Sequence, residues 1–193
     1  MMQALLEKLL QWDYEMWFCI NQQWRNGFLD GLMPFLRNQF TWAPLYVFLL
    51  FFSLINYGKK GLAWIVFFLI AFGIADYLSA SIIKPIVHRP RPCNDELLQQ
   101  VVQLLVSCGS GFSFPSSHAT NHFALSFFMI FTIAKPYKWL KVILFLWALS
   151  IGYAQVYVGV HFPLDVVCGA LIGMAIGTLV GKIFMRYFPL KLQ

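Results

Sequence analysis

The stretch Ser113-Phe-Pro-Ser-Ser-His-Ala-Thr-Asn-His122 leads directly into an apolar run, Phe123–Ala134. Proline is well tolerated in the first turn of a helix, because the N–H that it lacks would have no partner there. We therefore predict that Pro115 opens a helix of about 20 residues, long enough to cross a bilayer. Free backbone N–H groups and the positive end of the helix dipole make its start a candidate anion site. Taken alone, the stretch fits an N-capped membrane helix equally well.

The composition of the whole chain is that of a membrane protein. Of its 193 residues, 60% are hydrophobic and only 11% are charged. Soluble domains are nearer to about 45–50% apolar and about 25% charged. The formal net charge of +6 is spread over short clusters between apolar runs. This pattern suits membrane orientation, and we expect no nucleic-acid partner.

Several apolar runs predict an all-α integral membrane protein, a bundle of about five or six transmembrane helices. The predicted spans are Trp42–Tyr57, Leu62–Val87, Pro115–Ala134, Val142–Val158 and His161–Tyr187. The N-terminal helical segment carries four charges between Ala4 and Trp24, so we expect it to lie in the membrane interface. Whether it crosses the membrane stays open. We expect one domain over 1–193, with the interfacial or partly inserted segment over 1–38 and the helical bundle over 39–188.

The last predicted span carries glycine at every fourth position. These residues are Gly169, Gly173, Gly177 and Gly181. Small residues at that spacing form a flat face against which another helix can pack closely.

Basic clusters give the bundle an orientation. Gly58–Gly61, Lys135–Lys141 and the tail after Gly181 fall on one side and carry Lys and Arg without an acidic residue. Because cytoplasmic loops are enriched in Lys and Arg, that side is predicted to be cytoplasmic. The loop Cys93–Ser113 and the stretch Ser113–His122 then lie on the opposite side.

Polar residues of three separate segments meet on that outer side. They are Lys84, Arg89 and Arg91; Ser116, Ser117 and His118; and His161 with Asp165. Ionisable groups at membrane depth are costly and therefore mark functional sites. Cations and the N–H groups of a helix start would hold the oxygens of a phosphate, and two histidines would attack and protonate.

The same residues resemble the three-part signature of the type-2 phosphatidic acid phosphatase superfamily. In words, that signature is Lys-six residues-Arg-Pro, then Pro-Ser-Gly-His, then Ser-Arg-five residues-His-three residues-Asp. The first part is complete over Lys84–Pro92, and the second is Pro115–His118 with Ser117 in place of glycine. The third keeps His161–Asp165 at the right spacing, but Ala154-Gln155 replaces Ser-Arg. The resemblance covers nearly the whole predicted bundle.

This resemblance implies a fold of packed transmembrane helices and a phosphohydrolase that uses a covalent phosphohistidine, with no metal and no cofactor. His161 would be the nucleophile, and Asp165 would orient its ring. His118 would protonate the leaving group and later activate water. The implied phosphate-binding residues are Lys84, Arg91, Ser116, Ser117 through its N–H, Gln155 and Arg89.

Gln155 is the main departure from the signature. Its amide offers two donors but neither the charge nor the planar fork of arginine. Losing a charged contact of this kind costs a few kcal/mol, on the order of 10²-fold in rate. Three outcomes are open: Arg89 supplies the charge, the enzyme is slower or differently selective, or the chain is a catalytically impaired lipid-binding or transport protein.

The expected substrate is a lipid phosphate whose tail stays in the bilayer. We rank undecaprenyl pyrophosphate narrowly first, beside phosphatidylglycerol phosphate, phosphatidic acid and the phosphates of lipid A. A lipid phosphotransferase would use the same residues. The expected location is the bacterial inner membrane with the site facing the periplasm, and the oligomeric state is open.

His118 and His122 lie four residues apart and have the spacing of a metal pair. Because no carboxylate or cysteine nearby completes a site, we expect no metal there. His122 is instead expected to line the pocket or to hydrogen-bond a backbone carbonyl.

Two cysteines, Cys93 and Cys108, fall in the predicted outer loop. An oxidising periplasm would allow them to form a disulfide that closes a loop of about 15 residues. The alternative is that both are free thiols.

Overall fold

The computed structural model describes residues 2–190, and within that range all regular structure is helical. The α-helices are α1 Met2–Phe18, α2 Gly27–Arg37, α3 Ala43–Tyr57, α4 Lys59–Asp76, α5 Lys84–Val87, α6 Ser117–Phe131, α7 Lys138–Tyr157 and α8 Pro163–Tyr187. Short π-helical and 3₁₀ turns connect some of them. The predicted all-α fold is confirmed.

Four helical stretches within the described residues are long and apolar enough to cross a membrane. They are Gln39–Tyr57, Lys59–Asn94, Lys138–Tyr157 and Pro163–Tyr187. The remaining predicted span corresponds to α6, which has only 15 residues. Most of α6 is buried, because α4, α7 and α8 all pack around it. The chain is a multi-pass membrane protein with α6 at its centre.

The predicted glycine face of α8 packs against α6. A Cβ atom added at Gly173 would overlap the backbone oxygen of Thr120, and one at Gly177 would overlap that of Ala124. Nearer the start of α8, a Cβ at Gly169 would lie 2.7 Å from the backbone oxygen of Ser116. Because only glycine allows the two helix backbones to come this close, the glycine face brings the starts of α6 and α8 together.

The second predicted span is one continuous helical run. It passes from α4 through the π-helical turn Tyr77–Ile83 into α5 and ends at Val87. π-helical turns inside α-helices are frequent at functional sites. His88 then adopts a left-handed conformation, with φ 54°, and ends the helix. Lys84 is thereby held on a rigid helix at the outer end of the bundle.

The N-terminal segment forms two helices that lie against this end. α1 exposes apolar residues such as Leu5 and Trp12, while Asp13 and Trp17 are buried. α2 packs against α7. Neither α1 nor α2 is among the four long apolar stretches.

A disulfide between Cys93 and Cys108 closes the outer loop. Tyr14 of α1 donates a hydrogen bond through its hydroxyl to Oδ2 of Asp95, at 2.9 Å. The side chain of Asn21 donates to the backbone oxygen of Gln103, at 3.0 Å. The N-terminal segment therefore fixes the loop above the bundle.

Candidate active site

His161 and Asp165 meet at the start of α8. The helix begins only at Pro163, so His161 precedes it. Oδ2 of Asp165 accepts a hydrogen bond from the backbone N–H of Phe162 at 2.9 Å and lies 3.4 Å from Nδ1 of His161. A carboxylate beside Nδ1 favours the tautomer that carries its proton there. The lone pair of the His161 ring is then on Nε2.

The surroundings of His161 keep its ring neutral. Only 2% of the residue is exposed. Burial disfavours the charged imidazolium and lowers the pKa of His161 to about 4. Nε2 lies 3.4 Å from Nη1 of Arg91. An unprotonated nitrogen beside a guanidinium suits a nucleophile that attacks an anionic group.

Two cations of the first motif, the segment Lys84–Pro92, lie at this site. Neither has a carboxylate partner among the described residues. Arg91 donates to the backbone oxygens of Val160 and Gly111, each at 3.3 Å. Lys84 lies close enough for its charge to act on Arg91 and Asp165. Unpaired cations near His161 form a candidate anion site.

Arg89 is held by two carboxylates. Its Nη1 donates to Oδ1 of Asp165 at 2.8 Å, and its Nη2 donates to Oδ2 of Asp13. The guanidinium also lies over the ring of Phe162, 4.0 Å from the centroid. That Arg89 contacts the phosphate stays a prediction. In this arrangement the charge of Arg89 is already paired with the two carboxylates.

Sequence reasoning missed Asp13. Its side chain is fully buried, and its Oδ1 accepts a hydrogen bond from the backbone N–H of Leu164 at 2.7 Å. Asp13 therefore joins α1 to the first turn of α8 as well as to Arg89. No motif spacing identifies such a contact, because it joins residues that are far apart in the chain.

The second motif opens α6 at Ser117, two residues later than the predicted start at Pro115. Ser116 is the N-cap, with its hydroxyl accepting from the N–H of Ala119 at 3.4 Å, and Pro115 precedes the helix. The correction follows from capping, since a serine hydroxyl can satisfy a free N–H and proline offers none. The backbone N–H of Ser116 donates to the backbone oxygen of Asp165 at 2.9 Å. Ser117 accepts a hydrogen bond from Ser79 at 3.0 Å.

A cavity of about 410 Å³ borders His118. It is lined by Gln39, Tyr46, Phe68, Leu69, Phe72, Asp76, Ser117, His118, Asn121, His122 and Leu125. Leu69 is 59% exposed and Phe72 is 42% exposed on the outside of the bundle. The cavity therefore has an apolar side near the lipid-facing surface and a polar side at His118.

His122 lines the same cavity and hydrogen-bonds a backbone carbonyl. Its Nδ1 lies 2.9 Å from the backbone oxygen of His118, and its Nε2 lies 3.4 Å from the hydroxyl of Tyr46. Because a carbonyl oxygen can only accept, Nδ1 carries the proton. Nε2 is then free to accept from Tyr46.

Gln155 and Arg37 also carry polar groups without a partner at this end of the bundle. Gln155 is 0% exposed, and neither atom of its amide has a hydrogen-bond partner among the described residues. Arg37, at the end of α2, buries an Nε that likewise has none. Sequence reasoning missed Arg37, which lies outside the three motifs.

The chain is similar to known proteins over most of its length. A model of the PAP2 superfamily matches residues 62–189. Lipid A 4'-phosphatase of Bacteroides thetaiotaomicron is 36% identical over 149 residues, which are 76% of this chain and 65% of that protein. Lipid A 4'-phosphatase of Porphyromonas gingivalis is 30% identical over 186 residues, which are 93% of this chain and 76% of that protein.

Two solved structures are similar in fold. The crystal structure of Aquifex aeolicus LpxE has a TM-score of 0.63 and 31% identity, covering 90% of this chain and 94% of that one. A transmembrane PAP2 type phosphatidylglycerolphosphate phosphatase from Bacillus subtilis has a TM-score of 0.73 and 24% identity, covering 93% and 87%. The second likeness concerns the fold alone.

The family match runs from α4 to the end of α8 and includes all three polar motifs. It extends over more than half of the chain, and a relative at 30% identity is covered over 76% of its length. The chain belongs to the PAP2 superfamily.

Proposed function

We propose that the protein is a membrane lipid phosphatase that transfers a phosphoryl group from a lipid to His161 and then to water. The observation that carries the proposal is the arrangement of the two histidines. Nε2 of His161 lies beside Arg91, whereas His118 borders the cavity with the apolar side. A phosphate held between them would have its lipid oxygen on the His118 side.

In the first step, the Nε2 lone pair of His161 forms a bond to phosphorus. The bond from phosphorus to the lipid oxygen breaks, and that oxygen leaves with a proton from His118. In the second step, water attacks the same phosphorus, His118 takes a proton from the water, and the bond to Nε2 breaks. Asp165 stabilises the positive charge that His161 carries between the two steps.

The proposed phosphate-binding groups are cations and donors that lack a carboxylate partner. Lys84 and Arg91 offset the charge of the phosphoryl oxygens. The Ser117 N–H lies in the first turn of α6, where backbone N–H groups point away from the helix. The buried amide of Gln155 offers two further donors. The hydroxyl of Ser116 caps α6, so its part in phosphate binding needs a separate test.

The substrate that we propose is a lipid bearing a phosphate monoester or a pyrophosphate. The apolar lining of the cavity supports an acyl or prenyl chain next to the leaving oxygen. The relatives include lipid A 4'-phosphatases and, in Sulfolobus acidocaldarius, an undecaprenyl-diphosphatase that is 30% identical over 154 residues. We therefore rank lipid A together with undecaprenyl pyrophosphate first among the candidate substrates.

We propose that the site faces the periplasm of a bacterial inner membrane. The basic turn at Lys59 and the site residue Lys84 lie at opposite ends of the continuous run from α4 to α5. Because the basic turns favour the cytoplasm, the opposite end is the periplasmic one.

Release of inorganic phosphate tests the proposed function. The purified protein in detergent would be incubated, with a chelator present, with lipid A, undecaprenyl pyrophosphate, phosphatidylglycerol phosphate and phosphatidic acid. We expect release from at least one lipid, its loss in His161→Ala, and its retention in His88→Ala, since His88 is an exposed loop residue. No release from any lipid, or full activity of His161→Ala, would overturn the proposal. Phosphate found on a second lipid instead of in solution would identify a phosphotransferase.

A further inference from the structure

The third motif lacks the charge that the family signature carries at the position of Gln155. Compensation by Arg89 is one of the three outcomes that the sequence leaves open, but Asp13 and Asp165 both bind its guanidinium. A guanidinium paired with two carboxylates has little net charge left for a phosphate. A cation that replaces the missing charge must therefore come from elsewhere.

Arg37 is an arginine whose charge is not paired. It is the last residue of α2, and its side chain has no carboxylate within ion-pair distance among the described residues. Its Nε is buried and without a hydrogen-bond partner there. Arg37 as a whole is partly buried. A partly buried cation without a counter-charge is costly, unless an anion is bound beside it for part of the protein's working cycle.

The chain around Arg37 is fixed at the site. Nε1 of Trp42 donates to the backbone oxygen of Leu36 at 2.8 Å. The ring of Trp42 packs edge-on against Trp147, at 5.4 Å between centroids, and Trp147 in turn contacts His122. Two residues after Arg37, Gln39 lines the cavity that borders His118. The end of α2 thus lies beside the second motif.

Two charged or titratable groups of the site lie within electrostatic range of Arg37. Burial, and secondly the positive charge of Arg91, lower the pKa of Arg37 from its ordinary value. The charge of Arg37 also acts on His118. Two guanidinium groups near one another favour an anion between them, because an anion relieves their repulsion.

We propose that Arg37 binds the phosphoryl group of the substrate and supplies, from the N-terminal segment, the charge that the third motif lacks at Gln155. The inference rests on the proposed function. The planar guanidinium of Arg37 can hold two phosphoryl oxygens at once. Because Arg37 lies outside residues 62–189, this part of the site comes from a segment that the family match does not include.

Kinetics of Arg37 variants test this inference. We expect Arg37→Ala to lower kcat/KM by about 10²-fold, the scale of a lost charged contact. Arg37→Lys should regain part of the loss because it restores the charge without the fork, whereas Arg37→Gln should not. Arg25→Ala is the matched control, since Arg25 belongs to the same segment but pairs with Asp30 at 2.8 Å. It should leave kcat/KM unchanged.

A double variant separates phosphate binding from a merely structural role. If Arg37 replaces the motif arginine, Gln155→Arg should raise the activity of Arg37→Ala by at least about tenfold and change the natural protein much less, because coupled residues are not additive. A structural defect would show no such rescue. Wild-type kcat/KM in Arg37→Ala, with activity still dependent on His161, would overturn the inference and leave the proposed function intact.

Binding of inorganic phosphate gives a readout that needs no turnover. The natural protein should bind phosphate measurably by titration calorimetry, and Arg37→Ala should bind it at least about tenfold more weakly, whereas Arg25→Ala should match the natural protein. Equal affinities of the natural protein and Arg37→Ala, or no phosphate binding by either, would overturn the inference even if no lipid is hydrolysed. An affinity difference without lipid hydrolysis would support the anion site and reject the phosphatase.

Discussion

Arg89 donates a hydrogen bond of 2.8 Å to Asp165, the carboxylate that also lies beside the Nδ1 atom of His161. The other side of the guanidinium contacts Asp13 of α1. A network of charged groups therefore connects the N-terminal helix to the proposed nucleophile. It explains why an arginine inside the first motif need not touch the substrate to affect the site.

The variant Asp13→Asn tests this network of charged groups. The amide would still accept from the N–H of Leu164 but would leave the charge of Arg89 with one carboxylate instead of two. Arg89 keeps its ion pair with Asp165, so the loss is that of one charged hydrogen bond, about 1.5–3 kcal/mol. We therefore expect a lower midpoint of thermal unfolding and a loss of activity. Glu15→Gln is the control, because Glu15 lies in the same helix and is exposed. An unchanged unfolding midpoint in Asp13→Asn would contradict the account.

The pH profile of kcat/KM reports the protonation of His161 in the free enzyme. Its pKa of about 4 means that the ring gains a proton, and loses its nucleophilic lone pair, only as the pH falls through that value. We therefore expect kcat/KM to be half-maximal near pH 4 on the acid side, in natural protein and in His88→Ala alike. An acid limb centred near 6.5, the ordinary value for histidine, would mean that the ring of His161 is hydrated.

Removing the disulfide should destabilise the outer loop. The bond closes a loop with a sequence separation of 15, for which the entropic stabilisation is up to about 3 kcal/mol. The loop also contacts the site, since Gly111 accepts a hydrogen bond from Arg91. We expect Cys93→Ser with Cys108→Ser to unfold at lower temperature and to bind phosphate more weakly, while Cys19→Ser, which alters a free cysteine, does neither. A reductant that leaves the unfolding of natural protein unchanged would argue against the bond.

The close contact between α6 and α8 gives a test of the fold. A Cβ at Gly177 would overlap backbone atoms of α6, whereas one at Gly73 in α4 would meet nothing within 4 Å. We expect Gly177→Ala to lower the free energy of unfolding by about 1–3 kcal/mol through overpacking. Gly73→Ala should have no such cost. Equal stability of the two variants would show that the helices separate without penalty.

Much of the fold follows from local sequence patterns. Apolar runs gave the positions of α3, α4, α7 and α8, because span length and hydropathy are properties of a single segment. The glycine period predicted a close-packing face for the same reason. α6 is shorter than the predicted span Pro115–Ala134, because the Ser116 cap starts it after Pro115 and it already ends at Phe131.

The site was only partly predictable. The spacing of the family signature predicted His161 and Asp165, because both belong to one short segment of the chain. Asp13 and Arg37 could not be found in this way, since the positions of both depend on tertiary packing of the N-terminal segment. In the sequence, Asp13 counts only as one of the four charges between Ala4 and Trp24 that favour an interfacial helix. The paired state of Arg89 likewise depends on Asp13, which lies 76 residues earlier in the chain.

Capture of the phosphorylated protein tests directly whether His161 is the nucleophile. The natural protein would be mixed with a ³²P-labelled lipid phosphate, quenched in base within one turnover, and digested for peptide mapping. We expect a base-stable, acid-labile phosphate on the peptide that contains His161, and none in His161→Ala. Phosphate on another residue, or steady hydrolysis with no labelled peptide at any time, would contradict this expectation.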